Sequence, residues 1–236
     1  MSAPRVARTV RNRLLPLIAA VVAATSGCHA AASWAGSPSP WDDHPAQGAG
    51  HAKEIYLTFD DGPGTETGQI LDILRENNAK AVFFAIGQNL DAHHDLARRV
   101  INEGHVVASH TWSHQNLTRV DAGQGDAEID RAGEALRRVG STSRCLRPPE
   151  GATNDAVKAR LRAKGLRPVL WNVDTEDWKR PGADVIADRL VSRVRPGMVV
   201  LLHDGGGDRS QTVQALRTAL PALAAQGYAF RAVPGC

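Results

Sequence analysis

From Glu54 onward, short apolar runs alternate with longer stretches in which apolar residues recur three or four positions apart. The runs at 55–59, 81–86, 106–109, 144–146, 168–173, 198–203 and 229–233 read as strands. Gly, Pro or Asn bound them, and the longer ones are apolar on both faces, as strands buried in a parallel sheet are. Helical periodicity lies between them. Ile70, Leu71, Ile73 and Leu74 mark one helix, Leu96, Val100 and Ile101 the next, and Ile129, Leu136 and Val139 a third. Asn154 is placed to cap a helix carrying Val157 and Leu161. Val185, Ile186, Leu190 and Val194 mark another, and 213–223 the last. Seven strands alternating with helices predict an α/β fold with parallel strands and right-handed crossovers. The number fits a distorted (β/α) barrel of seven or eight parallel strands, or an open doubly wound sheet. No glycine-rich dinucleotide loop follows the first strand, which favours the barrel. A barrel builds its active site at the C-terminal ends of its strands.

The chain before residue 53 has a different pattern. Residues 1–13 are basic and polar, 14–25 form an apolar run too short for a comfortable transmembrane helix, and Ser26, Gly27 and Cys28 follow. This predicts a signal peptide over 1–28. Residues 24–28 resemble a bacterial lipoprotein box, with Thr25 where Leu or Val is usual. Ordinary cleavage near 29–31 is the competing reading. Either way the protein is expected to be exported, as a cell-envelope lipoprotein or in secreted form. Residues 29–52, rich in Ala, Gly, Ser and Pro, read as a flexible linker to a catalytic domain at 53–236. Trp34 and Trp41 within it have no role that the pattern assigns.

Composition narrows the function. Hydrophobic residues make up 42% and charged residues 22%, a globular balance. The formal charge of +3 comes from 28 Lys and Arg against 25 Asp and Glu. Arg5, Arg8, Arg11 and Arg13 precede Cys28 and no acid does, so the body of the chain has no basic surplus. A nucleic-acid partner is therefore not expected. Membrane contact is expected only through a lipid anchor or the transient signal peptide, and the domain is expected to be a monomer. Three cysteines exclude a disulfide-dense scaffold. With Cys28 set aside, Cys145 and Cys236 are the two that an oxidising compartment would allow to pair.

Polar residues cluster at the predicted strand ends. The first strand ends Thr58-Phe59-Asp60-Asp61-Gly62-Pro63, and the third His110-Thr111-Trp112-Ser113-His114. Two histidines four apart on a helical turn would reach one cation. The fourth strand ends Arg147-Pro148-Pro149-Glu150-Gly151, the fifth Asp174-Thr175-Glu176-Asp177-Trp178, and the sixth Leu201-Leu202-His203. Each has an ordinary structural explanation when taken alone: a turn, a solvated face, a connection, an aromatic cluster, a core histidine. Their joint placement at strand C-termini points to one site.

These five motifs, in this order, resemble those of the polysaccharide deacetylase family, carbohydrate esterases of family 4 built on a NodB-type domain, over about residues 54–233. One position departs, Glu150 standing where the family usually has Tyr. The resemblance implies a hydrolase that removes acetyl groups from an N-acetylated envelope glycan, either peptidoglycan or a chitin-like oligosaccharide. Acetylxylan esterase chemistry by the same mechanism, a cyclic amidohydrolase and a non-catalytic glycan-binding module are the alternatives. The export signal disfavours the amidohydrolase. The full set of charged motif residues disfavours the binding module.

The resemblance also implies roles. Asp61, His110 and His114 match the metal ligands, for Zn²⁺ or alternatively Co²⁺. Asp60 matches the general base and Arg147 its partner, which would hold the Asp60 pKa down. His203 matches the general acid and Asp177 its partner. Pro149, Glu150, Trp178 and Leu201 match substrate-binding positions, with the Glu150 N–H as oxyanion donor and Trp178 and Leu201 around the acetyl methyl. Asp174 is expected to help hold Arg147.

Overall fold

The computed structural model describes residue 1 and residues 53–236. The predicted signal peptide, the linker, Cys28, Trp34 and Trp41 lie outside the described residues. Among the described residues no helix is long and apolar enough to cross a membrane.

The elements run in the order β1 (Lys53–Asp60), α1 (Thr67–Glu76), β2 (Ala81–Ala85), α2 (Gly87–Ala92), α3 (His94–Asn102), β3 (Val106–Ser109), α4 (Ala122–Val139), β4 (Cys145–Leu146), α5 (Asp155–Ala163), β5 (Arg167–Pro168), β6 (Val173–Asp174), α6 (Ala183–Arg193), β7 (Val199–His203), α7 (Ser210–Ala225) and β8 (Tyr228–Phe230). The strand order is β5-β4-β3-β2-β1-β7-β6, with β8 also on β1. All pairings are parallel. The result is a curled, incomplete barrel with helices outside, as the alternation of patterns predicts. Asn154 caps α5 as expected, its side chain accepting from the Val157 N–H. The short α2 helix carries no apolar periodicity that would mark it in the sequence.

Strand periodicity decides what faces the barrel mouth. In β1, Ile55, Leu57 and Phe59 pack with the helix layer, while Tyr56 joins Val82, Phe84, Ala108 and Val199 in a second cluster. Thr58 and Asp60 share the pleat of Tyr56, so the last inward position of the strand is a carboxylate. Register sets Asp60 opposite both Phe84 of β2 and His203 of β7. Cys145, in the same inner cluster, is disulfide-bonded to Cys236.

One predicted strand divides. The run at 168–173 yields β5 and β6, which stand at opposite ends of the strand order. The segment between them changes partners: the Val169 N–H donates to Leu146 O, and the Asn172 N–H donates to Val199 O. No ladder joins β5 to β6, so the barrel has a seam. Arg147 fills it, donating through Nε to Val169 O at 3.1 Å and through Nη2 to Leu170 O at 3.2 Å. A buried guanidinium thus satisfies carbonyls that a neighbouring strand would otherwise take.

Candidate active site

The mouth of the barrel is a cleft of about 440 Å³ lined by Asp60, Asp61, His110, His114, Glu150, Trp171, Asp174, Trp178, Leu201 and His203. Of the predicted substrate-binding residues, Glu150, Trp178 and Leu201 line it and the buried Pro149 does not; Arg147 and Asp177 lie behind the lining. Two proline rings fix the backbone at 148–149.

The backbone turns differently under the two adjacent carboxylates, though both approach His110 Nε2, at 3.7 Å for Asp60 Oδ2 and 3.5 Å for Asp61 Oδ1. Asp60 ends the strand, whereas Asp61 turns at φ 72°. The glycines of the following loop make room for Asp61: a Cβ at Gly206 would stand 2.6 Å from its Oδ2. Asn89 on α2 donates to the Asp61 carbonyl at 2.7 Å.

Asp61 Oδ1 lies 3.5 Å from His110 Nε2 and 3.4 Å from His114 Nε2. His110 Nδ1 is 2.7 Å from Arg147 O, an acceptor only, so Nδ1 carries the proton and Nε2 offers a lone pair. Burial keeps this imidazole neutral, its pKa pushed down to about 3, with Asp61 only partly opposing. The three residues form a group that could hold a metal ion, with ligand atoms within 4.8 Å of one another. The fit is good on independent grounds. Asp61 Oδ1 is buried without a hydrogen-bond partner. Separations of 3.4 and 3.5 Å also match the edge of a tetrahedron with bonds of about 2.0–2.1 Å.

The histidines do not converge by lying on a helical turn, as their spacing predicts. Residues 110–114 are loop, with Thr111 at φ 68° and His114 at φ 62°. Glu128 of α4 holds that loop, accepting from the Trp112 N–H at 3.0 Å, the Ser113 N–H at 2.8 Å and the Ser113 hydroxyl at 2.6 Å. Gly87 gives Trp112 its place, since a Cβ there would stand 2.6 Å from the indole. A carboxylate on another element leaves no local sequence signal, and Glu128 was missed for that reason.

Asp60 is 3% exposed. Its Oδ1 accepts from Arg147 Nη1 at 2.7 Å, and the same nitrogen donates to Thr58 Oγ1 at 2.8 Å. The expected depression of its pKa does not hold. Burial outweighs the Arg147 and His203 charges and holds the carboxyl above its usual range. Nor does Asp174 hold Arg147: its Oδ1 accepts from the Glu176 N–H at 2.7 Å, and backbone carbonyls complete the guanidinium's bonds.

His203 stands beside Asp177, which is buried and also accepts from Thr212 Oγ1 at 2.8 Å. Burial works against the imidazolium, but the Asp177 hydrogen bond and the charges of Asp177, Asp60 and Asp61 together raise the His203 pKa. Asp204, absent from the sequence expectations, is buried behind it. Burial, followed by Asp61 and Asp60, lifts its pKa to about 7 against the Thr67 hydrogen bond. Thr67 in turn accepts from the Gly64 N–H at 2.8 Å, tying Asp204 to the loop after Asp61.

A buried carboxylate, a carboxylate-held imidazole and a three-residue group that could hold a metal ion surround one cleft, an arrangement suited to adding water to a carbonyl. The comparisons with known proteins narrow the class. Residues 47–169 match the polysaccharide deacetylase family. A chitooligosaccharide deacetylase of Rhizobium leguminosarum bv. trifolii is 42% identical over 200 residues, 77% of this chain and 91% of the relative. A peptidoglycan-N-acetylglucosamine deacetylase of Bacillus cereus is 40% identical over 181 residues, 75% and 85% of the two chains. A crystal structure of a peptidoglycan N-acetylglucosamine deacetylase superposes with a TM-score of 0.74 at 36% identity, covering 77% of this chain and 86% of that one. The chain belongs to the polysaccharide deacetylase family, hydrolases that act on carbon–nitrogen bonds other than peptide bonds.

Proposed function

We propose that this protein removes acetyl groups from N-acetylglucosamine units of an envelope glycan. The observation that carries the reading is the Asp61–His110–His114 group with its unpartnered Asp61 oxygen. These residues would hold Zn²⁺, and Co²⁺ in its place. When bound, the cation acidifies water and polarises the acetyl carbonyl.

The chain's own residues do the rest. Asp60 takes the proton of the attacking water, and its raised pKa makes it a stronger base than an exposed carboxylate. Arg147 orients it. The Glu150 N–H has no backbone acceptor among the described residues, which leaves it to donate to the oxyanion as the carbonyl carbon becomes tetrahedral. His203 Nδ1 is 2.7 Å from Asp177 Oδ1, so Nε2 is the nitrogen that delivers a proton to the departing amine. A C–O bond forms, the C–N bond breaks, and acetate and a free amino sugar leave. Leu201 and Trp178 would enclose the acetyl methyl, and Trp178, 49% exposed, offers a ring face to a sugar.

Export to the envelope is supported by the signal-like pattern of residues 1–28. A single chain carries every residue of the site, in keeping with a monomer. Acetate release from chitin oligomers, peptidoglycan strands and acetylated xylan, with and without chelator, tests the reading. Metal-dependent release from either of the first two supports it. Release from xylan alone moves the activity to O-acetyl esters, and no release from any of the three overturns it.

A further inference from the structure

The Glu150 carboxylate, on the rim of the cleft, is held in place. Its Oε2 accepts from Asn116 Nδ2 at 2.8 Å. Asn116 is itself buried and fixed in orientation, because its Oδ1 accepts from the Thr118 N–H at 3.0 Å and the Thr118 hydroxyl at 2.7 Å. The backbone under Glu150 is set as well, at φ 59° and ψ 10°. Gly151 beside it lies against Trp171, where a Cβ would stand 2.8 Å from the ring. Arg119 is 3.8 Å from the same Oε2 but 74% exposed, where an ion pair has little strength. The second oxygen, Oε1, takes no hydrogen bond among the described residues.

Charge decides what such an acceptor prefers. Among the described residues, four carboxylates line the cleft and no Lys or Arg does. Asp60 is matched by Arg147, and Asp61 belongs to the metal group. Glu150 and Asp174 are left as rim charges without a buried cation. Resting on the deacetylase reading above, we propose that Glu150 makes the rim a subsite for a cationic amino sugar, a glucosamine unit adjoining the acetylated unit under attack. Each turnover on N-acetylglucosamine releases acetate and leaves an amine that is protonated near neutral pH. The reaction therefore creates the cation that the subsite takes. Partly deacetylated chains become better substrates than untouched ones, and glycans carrying extra anionic groups become poorer ones.

The test compares acetate release at about pH 6.5, where an amine of this type stays protonated. The substrates are fully acetylated chitin oligomers and oligomers of equal length with one internal glucosamine. The wild type should favour the second in kcat/KM by about tenfold, and added salt should shrink the ratio. Glu150→Gln keeps the shape and the Asn116 bond but removes the charge, and should bring the ratio close to one. No preference in the wild type, or a preference that survives Glu150→Gln, overturns the proposal. Calorimetric titration with a glucosamine oligomer adds a readout independent of turnover: Glu150→Gln should weaken binding, and equal affinity overturns the subsite. If neither substrate releases acetate while that titration still separates the proteins, the deacetylase reading fails and Glu150 is left as a binding site for the amine alone.

Discussion

His203 is held by Asp177 twice: its ring Nδ1 lies 2.7 Å from Asp177 Oδ1, and its backbone N–H donates to Asp177 Oδ2 at 2.9 Å. One carboxylate thus fixes both the position and the tautomer of the imidazole. Asp177→Asn should keep the backbone bond yet lose the charge that favours imidazolium. The alkaline limb of kcat should move to lower pH, with kcat down by about 10²–10⁴-fold. The sign in stability is also fixed. The folded His203 pKa is raised, so the contribution is fully present below the unfolded value of about 6.5 and is lost as pH rises through the folded value. Melting temperature against pH, wild type beside Asp177→Asn, checks it: curves that do not converge above the folded pKa would remove this pair as the cause.

Asp60→Asn and His110→Ala should separate base from ligand. Asp60→Asn should still bind Co²⁺ but lose most turnover, about 10²–10⁴-fold. It also leaves Arg147 buried beside a neutral partner, at a cost of up to about 3 kcal/mol in stability. His110→Ala should lose both metal and activity. Metal titration of the two variants with circular dichroism as the folding control decides it, and loss of Co²⁺ by Asp60→Asn would reverse the assignments of Asp60 and Asp61.

Glu128→Gln should weaken the loop of Ser113 and His114 without touching substrate. The carboxylate accepts three hydrogen bonds, so the expected loss in metal affinity is about 10–100-fold. Visible absorption during Co²⁺ titration reads it directly. An unchanged affinity would show that the loop holds without Glu128.

Neither cysteine of the Cys145–Cys236 bond lines the cleft, yet removing the bond frees a loop of 91 residues in the unfolded chain. Cys236→Ser should lower unfolding stability by about 2–5 kcal/mol with turnover retained at low temperature. Denaturant melts measure the loss. Thiol labelling of the native protein under oxidising conditions should find neither cysteine reactive; labelling of both would refute the bond.

The inward polar end of β1 was readable in the sequence because strand periodicity and the apolar run from Ile55 to Phe59 leave Asp60 one place to go. The seam was not. The run at 168–173 is apolar but for Asn172, and nothing local in it says that Val169 pairs with β4 while Asn172 turns to β7. The His110–His114 spacing suggested a helical turn because the restraint on that loop, Glu128, comes from α4. The direction of the Asp60 pKa is not legible in the motif, which shows the Arg147 partner but not the burial that outweighs it. Asp204 was passed over because its acid function lies beneath the loop of Gly62, where a Cβ would stand 2.0 Å from its Oδ2.

The seam bears on how such a protein can change over generations. Arg147 holds the Val169 and Leu170 carbonyls with the same guanidinium that orients Asp60. Loss of the guanidinium would therefore strip both carbonyls and the Asp60 carboxylate of this donor at once. His114, with a side chain 36% exposed, carries no such double duty. A change at 147 is therefore expected to cost stability as well as activity, and a change at 114 activity alone.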